Sequence, residues 1–135
     1  MKRPAVSVLM SVHNGEPWVA AAVESVLGQT FGDFELIVVD DGSTDRTGEI
    51  LDRFRDPRLR VVHQSHQGLT RSLNRALAVA RAPLVARMDA DDVSLPERLS
   101  RQMAFLEAHP EVGVLGTGCR EVDTLGGVRR VYRPP

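Results

Sequence analysis

The stretch FELIVVDDGS, residues 34–43, indicates the fold class of the chain. Its first six residues are mostly apolar and include β-branched side chains, which is typical of a short strand buried on both faces. Strands of that kind belong to parallel sheets that are covered by helices. Asp40, Asp41 and Gly42 then end the strand in a polar turn. We therefore expect a buried parallel strand with charged groups at its carboxyl end.

Short apolar runs of this kind alternate with helical patterns along the chain. The helical patterns repeat apolar residues at helical spacing, as at Leu69, Leu73 and Leu77. The predicted strands are residues 6–12, 34–39, 59–63, 84–88 and 112–115, and the predicted helices are about 17–27, 44–54, 69–80 and 94–109. Repeated strand–helix–strand units predict an α/β fold, with a mostly parallel sheet and helices on both faces.

Two local patterns refine this prediction. Ser94 and Glu97 match a capping box, which predicts that Ser94 caps the last helix. Residues 121–132 contain Gly126-Gly127 at their centre, which predicts a β-hairpin that turns there.

The charge balance argues against a polyanionic partner. The chain has 135 residues with 17 Lys plus Arg and 18 Asp plus Glu, so 17 − 18 gives a formal charge of −1. A chain this close to neutral has no general electrostatic attraction for nucleic acid. Its length predicts one globular domain with a core of its own.

The single cysteine excludes an internal disulfide, because Cys119 has no second cysteine to pair with. Such a chain fits a reducing compartment. Its apolar runs are all shorter than the roughly 18 residues typical of a membrane-spanning helix. We therefore expect the protein in the cytoplasm, either free or at the inner face of the membrane.

Polar clusters follow four of the predicted strands. They are His13-Asn14, Asp40-Asp41, His63 and the run from Asp89 to Asp92. Ligands of parallel α/β sheets bind beyond the carboxyl ends of the strands. The sequence therefore predicts a binding site at this edge, although each polar loop by itself is ordinary.

The carboxylates of Asp89 and Asp91 are candidate metal ligands. They are two residues apart and so would point the same way in an extended chain, with Asp92 pointing away or capping the next helix. Carboxylate oxygens suit Mg²⁺ or Mn²⁺, and magnesium commonly shares its coordination sphere with substrate phosphates. An acidic turn without a metal is the alternative.

Asp41 is a candidate contact for a nucleoside, because its carboxylate can accept a hydrogen bond from a base N–H or a ribose hydroxyl. On that basis Asp41→Asn should weaken nucleoside binding and leave the fold intact. Simple capping of the next helix is the alternative role for this turn. We favour the capping role for Ser43 and Asp45.

His13 and Arg71 are further candidates for nucleotide contacts. The His13 ring could stack on a nucleobase, and Arg71 lies early in a predicted helix from which it could reach a base or a pyrophosphate. An exposed surface role is the alternative for both. The other histidines, His63, His66 and His109, lack metal-ligand spacing, which favours structural or solvent-facing positions.

Five segments of the chain together resemble the inverting family 2 glycosyltransferases, which have the GT-A fold. These segments are residues 6–14, 25–31, 34–45, 68–74 and 87–99. They occur in the family's order at family-like separations, and the resemblance covers about residues 5–117. The resemblance implies a Rossmann-like, nucleotide-binding GT-A half.

The resemblance also implies roles for individual residues. Asp41 would contact the uracil or another base, and Ser11 and His13 would line the nucleoside pocket. Asp89 would lie near the ribose or the metal, and Asp91 would be the ligand of Mg²⁺ or Mn²⁺. Family members often have Pro-Thr-Tyr where this chain has Ser11-Val12-His13, so the nucleoside pocket departs from the family pattern there.

Family catalytic domains extend well past 135 residues, and their general base lies in the acceptor half. We therefore expect the general base outside this chain. Residues 1–117 would form the domain that binds nucleotide sugar and metal, and residues 118–135 would begin the acceptor-side region as a hairpin or tail.

The implied reaction transfers a sugar from a nucleoside diphosphate sugar, expected to be a UDP-sugar, to an acceptor hydroxyl with inversion. The acceptor would be a carbohydrate or a lipid-linked glycan. One alternative is a non-catalytic module that binds nucleotide sugar and metal. Another is an aspartate-rich receiver domain, but in that fold the acidic pair follows the first strand, and Lys2 is the only lysine available here.

Overall fold

The computed structural model describes residues 2–134 of the chain. These residues form two compact units that divide between Ser100 and Arg101. The first unit contains a sheet of four strands, which are β1 (Val6–Val12), β2 (Phe34–Asp41), β3 (Leu59–Gln64) and β4 (Leu84–Arg87). The chain also forms α1 (Val19–Leu27), α2 (Thr47–Asp52), α3 (Leu69–Val79) and α4 (Arg98–Ala108).

All four strands are parallel, and their order is β3-β2-β1-β4. The chain therefore builds outward from β1 through β2 to β3, then returns through α3 to place β4 on the other side of β1. This reversal is the topological switch point where open α/β sheets bind ligands. Receiver domains have the strand order 2-1-3-4-5, so this order contradicts the receiver alternative.

The core lies on both faces of the central strands β1 and β2. On one face Leu9, Ile37 and Val39 pack with Ala76 of α3. The residues that alternate with them, such as Met10 and Val38, are fully buried on the opposite face. The α/β prediction with a covered parallel sheet is therefore confirmed.

The predicted strand at residues 112–115 is wrong. Within residues 2–134 this segment forms no strand, and the Val114 side chain is 93% exposed. Gly113 lies inside the segment and Gly116 follows it, and glycine loses the most conformational entropy on entering a strand. A β-branched sequence without a strand partner or a buried face does not form a strand.

The predicted helix start after Ser94 is wrong, because α4 begins at Arg98. The Ser94 hydroxyl lies 3.0 Å from Met88 Sδ, and its backbone N–H donates to Ser25 Oγ. Ser94 therefore connects the segment after β4 to α1.

The second unit contains the predicted hairpin. It consists of β5 (Cys119–Val122) and β6 (Val128–Tyr132), which are antiparallel. Gly126 has a φ of 84°, which permits the tight turn between them. The predicted domain boundary at residue 117 stays a prediction.

The helices in the described part of the chain are all too short or too polar to cross a membrane.

A buried carboxylate stabilises the end of the sheet opposite the predicted site. Glu35 of β2 is 6% exposed and accepts hydrogen bonds from Ser7 Oγ at 2.6 Å, Arg81 N at 2.7 Å and Arg81 Nε at 2.9 Å. Burial acts to raise the pKa of Glu35, but these hydrogen bonds and the Arg81 charge outweigh burial and lower the pKa below its usual value. The carboxylate thus fixes the turn that leads into β4.

We expect Glu35→Gln to lower the free energy of unfolding by about 1.5–3 kcal/mol, because its amide group would face one of these donors. Because the folded-state pKa is lowered, the stabilisation is complete above the unfolded pKa near 4.5 and decreases as the pH falls below it. Urea unfolding at pH 7 and pH 3.5 measures both effects. Glu24→Gln on the exposed face of α1 is the matched control, and equal losses for the two variants would contradict the prediction.

Candidate functional site

An open cleft lies beyond the carboxyl ends of β1 and β4, at the switch point of the sheet. Its volume is about 320 Å³. One wall comes from the end of β1 and the start of α1, and the other from the segment after β4. The lining residues are Ser11, Val12, His13, Asn14, Gly15, Trp18, Asp89, Ala90 and Asp91. The structure therefore brings four of the predicted site residues, Ser11, His13, Asp89 and Asp91, to one cleft.

The acidic wall of the cleft is a turn and not an extended strand. β4 ends at Arg87, and Asp92 N–H donates to the Asp89 carbonyl at 3.2 Å. This turn brings carboxylate oxygens of Asp89, Asp91 and Asp92 within 4.8 Å of one another. The expectation that Asp92 points away or caps the next helix is wrong, because a turn does not alternate its side chains and α4 begins six residues later.

The donor set of this turn suits a hard divalent cation. It consists of three exposed carboxylates, and oxygen ligands are those that Mg²⁺ and Mn²⁺ prefer. Burial and the neighbouring charges of Asp91 and Asp89 raise the pKa of Asp92 above its usual value. A bound cation would relieve this mutual repulsion, so the residues present fit a metal.

Hydrogen bonds from two residues, Met88 and Arg98, hold the acidic turn against the rest of the unit. Met88 N–H donates to the Leu9 carbonyl of β1 at 3.1 Å. The Arg98 guanidinium donates to the Arg87 carbonyl at 3.0 Å and to Ser94 Oγ at 3.1 Å. The position of the carboxylates therefore depends on both β1 and the start of α4.

Asp41 lies at the end of β2 and is 1% exposed. Its Oδ1 accepts hydrogen bonds from Gln64 Nε2 and Gln67 N, and its Oδ2 accepts one from Gly68 N, all at 2.8 Å. Burial acts to raise the pKa of Asp41, but these hydrogen bonds outweigh it and lower the pKa to about 2. Asp41 is therefore an ionised group that fixes the loop between β3 and α3.

Two histidines lie directly over Asp41. The ring centroids of His13 and His66 are 4.2 Å apart, and the ring planes are tilted by 38°. His13 Nδ1 lies 2.7 Å from the backbone oxygen of Asp41, and His66 Nδ1 lies 3.0 Å from its Oδ2. His13 and His66 are far apart in the sequence, so the sequence alone did not indicate that His66 lies beside His13 at the site.

Asn14 connects the loops that follow β1 and β2. It has a φ of 51°, in a region where asparagine is tolerated better than most residues. Its Oδ1 accepts from Thr44 N at 2.7 Å, and its N–H donates to Ser43 Oγ at 2.9 Å. The Ser43 hydroxyl thus accepts a hydrogen bond from Asn14 and does not cap α2, which begins at Thr47. The capping prediction for Ser43 is therefore wrong. Asp45 does take a capping role, since its Oδ1 accepts from Thr47 N at 2.9 Å.

Two other residues extend the description of the site. Arg71 is exposed on α3 and does not line the cleft, so its nucleotide contact stays a prediction. Trp18 lines the cleft while 50% exposed, and sequence reasoning missed it. The sequence did contain a signal for this position: Trp18 is the chain's single tryptophan, and it directly precedes the predicted apolar stripe of α1.

Comparison with known proteins gives one consistent family. The family model described as "Glycosyl transferase family 2" matches residues 7–133. The uncharacterized glycosyltransferase EpsJ of Bacillus subtilis (strain 168) is 34% identical over 134 residues, which are 98% of this chain and 38% of that protein. The chain spans less than half the length of the curated relatives it matches first.

Solved structures agree with this family. S. aureus TarS 1–349 in complex with UDP is 32% identical with a TM-score of 0.73, over 78% of this chain and 32% of that one. The mannosyltransferase PcManGT from Pyrobaculum calidifontis, in complex with GDP-Man and Mn²⁺, is 29% identical with a TM-score of 0.74, over 84% of this chain and 35% of that one. Both similarities confirm the predicted GT-A architecture.

The hydrogen bonds of Asp41 change the expected effect of Asp41→Asn. An asparagine would turn its amide group towards a backbone N–H of the loop, so we expect a loss of about 1.5–3 kcal/mol in the free energy of unfolding. The earlier expectation of an intact fold is therefore withdrawn. Since the folded-state pKa is about 2, the contribution is complete above the usual pKa of 3.8 and disappears as the pH falls through about 2.

Urea unfolding at pH 7 measures this loss. Asp91→Asn is the matched control, because it removes the same charge from an exposed carboxylate that repels its neighbours. An Asp41→Asn variant as stable as Asp91→Asn would contradict a structural role for Asp41.

Proposed function

The chain belongs to glycosyl transferase family 2, and from that premise we propose that it binds a nucleoside diphosphate sugar and serves the donor side of a glycosyl transfer. The observation that carries the proposal is the convergence of Asp89, Asp91 and Asp92 in one turn, of which Asp89 and Asp91 line the same cleft as His13. A nucleoside diphosphate that binds with a divalent metal requires oxygen ligands for the ion beside a cleft large enough for the nucleoside.

The nucleoside would bind on the β1–β2 side of the cleft. We place the base beside His13, with Ser11 behind it and Asp41 below it. To accept a hydrogen bond from a base N–H, Asp41 would give up its bond from the Gln64 side chain. It would keep its bonds from the backbone N–H groups of Gln67 and Gly68. We take uracil as the base, in keeping with the solved complex of TarS with UDP, and Arg71 as a contact from α3.

The diphosphate would lie on the other side of the cleft. Asp91 and Asp89 would hold Mg²⁺ or Mn²⁺, and Asp92 lies close enough to share it. When bound, such an ion acts as a Lewis acid that offsets the charge on the leaving diphosphate. The carboxylates would hold the ion in place, and Arg87, whose Nη2 lies 3.0 Å from Asp89 Oδ1, orients Asp89.

Transfer to an acceptor hydroxyl by one direct displacement would invert the anomeric centre, with an oxocarbenium-like transition state. The acceptor hydroxyl needs a general base within hydrogen-bond reach. We assign no residue of this chain to that role. We propose a carbohydrate or a lipid-linked glycan as the acceptor, with the reaction in the cytoplasm or at the inner face of the membrane.

A non-catalytic donor-binding module is a second candidate, because the chain spans less than half the length of its relatives. Both candidates predict that UDP binds with metal. Only an enzyme releases UDP from a UDP-sugar in the presence of an acceptor, so a UDP-release assay distinguishes them.

We expect nucleotide binding to depend on the metal. Calorimetric titration of UDP in Mn²⁺ should show binding that EDTA removes and that Asp91→Asn weakens about tenfold or more, since weaker, indirect perturbations of metal sites already cost 10–100-fold. Asp33→Asn, at the opposite end of the sheet, should bind as the wild type does. Equal UDP affinity in Mn²⁺ and EDTA would exclude the metal bridge, and tight binding of GDP but not UDP would exclude uracil.

We expect the fluorescence of Trp18 to report the same event. It is the chain's only tryptophan, and it lines the cleft while half-exposed, so a bound nucleotide would change its solvent contact. UDP with Mn²⁺ should shift or quench the emission along a curve that matches calorimetry, and Asp91→Asn should move that curve to about tenfold or more higher UDP concentration. An emission that stays constant at saturating UDP would place the nucleotide elsewhere.

A further inference from the structure

We propose that His13, Asp41 and His66 form a second metal site, selective for Zn²⁺ and similar borderline cations and distinct from the acidic turn. One ligand atom from each of the three residues lies within 4.8 Å of the other two. The residues come from three segments, which follow β1, end β2 and follow β3. The sheet therefore brings together three ligands that are too far apart in the sequence to be recognised as a metal-binding motif.

Both imidazoles direct Nδ1 towards Asp41. His66 Nδ1 lies 3.0 Å from Asp41 Oδ2 and 3.2 Å from the Asp41 backbone oxygen. His13 Nδ1 lies 2.7 Å from that same backbone oxygen. In a tetrahedral zinc site with bonds of about 2.0–2.1 Å, ligand atoms lie about 3.3 Å apart. A zinc ion can thus replace the imidazole proton between His66 and Asp41 with small movements of exposed rings.

The carboxylate at this position is held in place before any ion arrives. Gln64, Gln67 and Gly68 donate to Asp41 at 2.8 Å each, and they leave Oδ2 facing His66. Hydrogen bonds that orient a ligating carboxylate increase metal affinity. The other two ligands are exposed side chains, so an ion has direct access from solvent.

The two clusters differ in chemistry. Imidazole nitrogen with one carboxylate favours Zn²⁺ or Co²⁺, whereas carboxylate oxygen favours Mg²⁺ or Mn²⁺. The two sites should therefore select different ions from a mixture. A consequence rests on the proposed function: Zn²⁺ would occupy His13 and Asp41, the groups proposed to contact the nucleoside, and so would compete with UDP.

The first experiment measures the ion alone, without nucleotide. The full chain carrying Cys119→Ser and Asp91→Asn is titrated with Zn²⁺ by calorimetry and with Co²⁺ by visible absorption, which removes the exposed thiol and weakens the acidic turn. We expect one site whose affinity falls about tenfold or more in His66→Gln and in His13→Gln, because removing a ligand should cost at least as much as removing its support.

His109→Gln and His63→Gln are the matched controls in the same background. His109 is half-buried in the second unit, where its Nδ1 lies 2.9 Å from the Phe105 backbone oxygen. His63 joins Asp40 and Asp52 through its opposite ring nitrogens, so neither control should change the affinity. Thermal melts confirm that each variant is folded. Zinc binding that survives His66→Gln and His13→Gln, or that disappears with either control, would overturn the site.

The second experiment titrates UDP and Mn²⁺ at increasing Zn²⁺ in the Cys119→Ser chain with Asp91 intact. We expect the apparent UDP affinity to fall with Zn²⁺ and to resist Zn²⁺ in His66→Gln. UDP binding that is insensitive to Zn²⁺ would overturn the competition. If UDP does not bind even without Zn²⁺, the proposed function fails, and the first experiment still decides the zinc site.

Discussion

The arrangement of the site depends on the buried charge of Asp41. This carboxylate ends the central strand β2 and accepts three hydrogen bonds from the loop at residues 64–68. A buried carboxylate without such donors would be costly, and a loop without such an acceptor would leave backbone N–H groups unpaired. The two requirements satisfy each other, and the result is a fixed floor on which His13 and His66 rest. Gly42, with a φ of 69°, permits the close approach, because a Cβ there would lie 2.5 Å from His66 N.

The opposite wall of the cleft is held in a different way. The acidic turn is attached to β1 by Met88 and to α4 by Arg98, but its three carboxylates are exposed and repel one another. One wall is therefore fixed by satisfied hydrogen bonds, while the other keeps negative charge that Arg87 neutralises only in part. A cation bound at the turn would remove that repulsion, and a diphosphate would then join the two walls. This asymmetry gives a physical reason for the proposed joint binding of metal and nucleotide.

The sequence predicted the parallel sheet because short apolar runs that end in polar turns alternate with segments of helical spacing. It also predicted that Ser11, His13, Asp89 and Asp91 share one edge, because parallel strands place their carboxyl ends together. It failed where the outcome depends on neighbours in space. Val112–Leu115 has strand-like residues but no buried face, and the residues from Ser94 match a capping box although α4 begins at Arg98.

Asp92 and His66 show a more specific limit. Their roles depend on backbone geometry that spacing cannot give: a turn that brings Asp92 beside Asp91, and a loop folded onto Asp41 that places His66 on His13. For Asp41, the sequence indicated a binding role but not the structural role that its hydrogen bonds give it. Its carboxylate suits a nucleoside contact by position, yet the structure adds a structural role that any ligand must accommodate. A group with both roles cannot be altered for binding alone, so variants of exposed neighbours such as His13 and His66 separate binding from stability better than variants of Asp41.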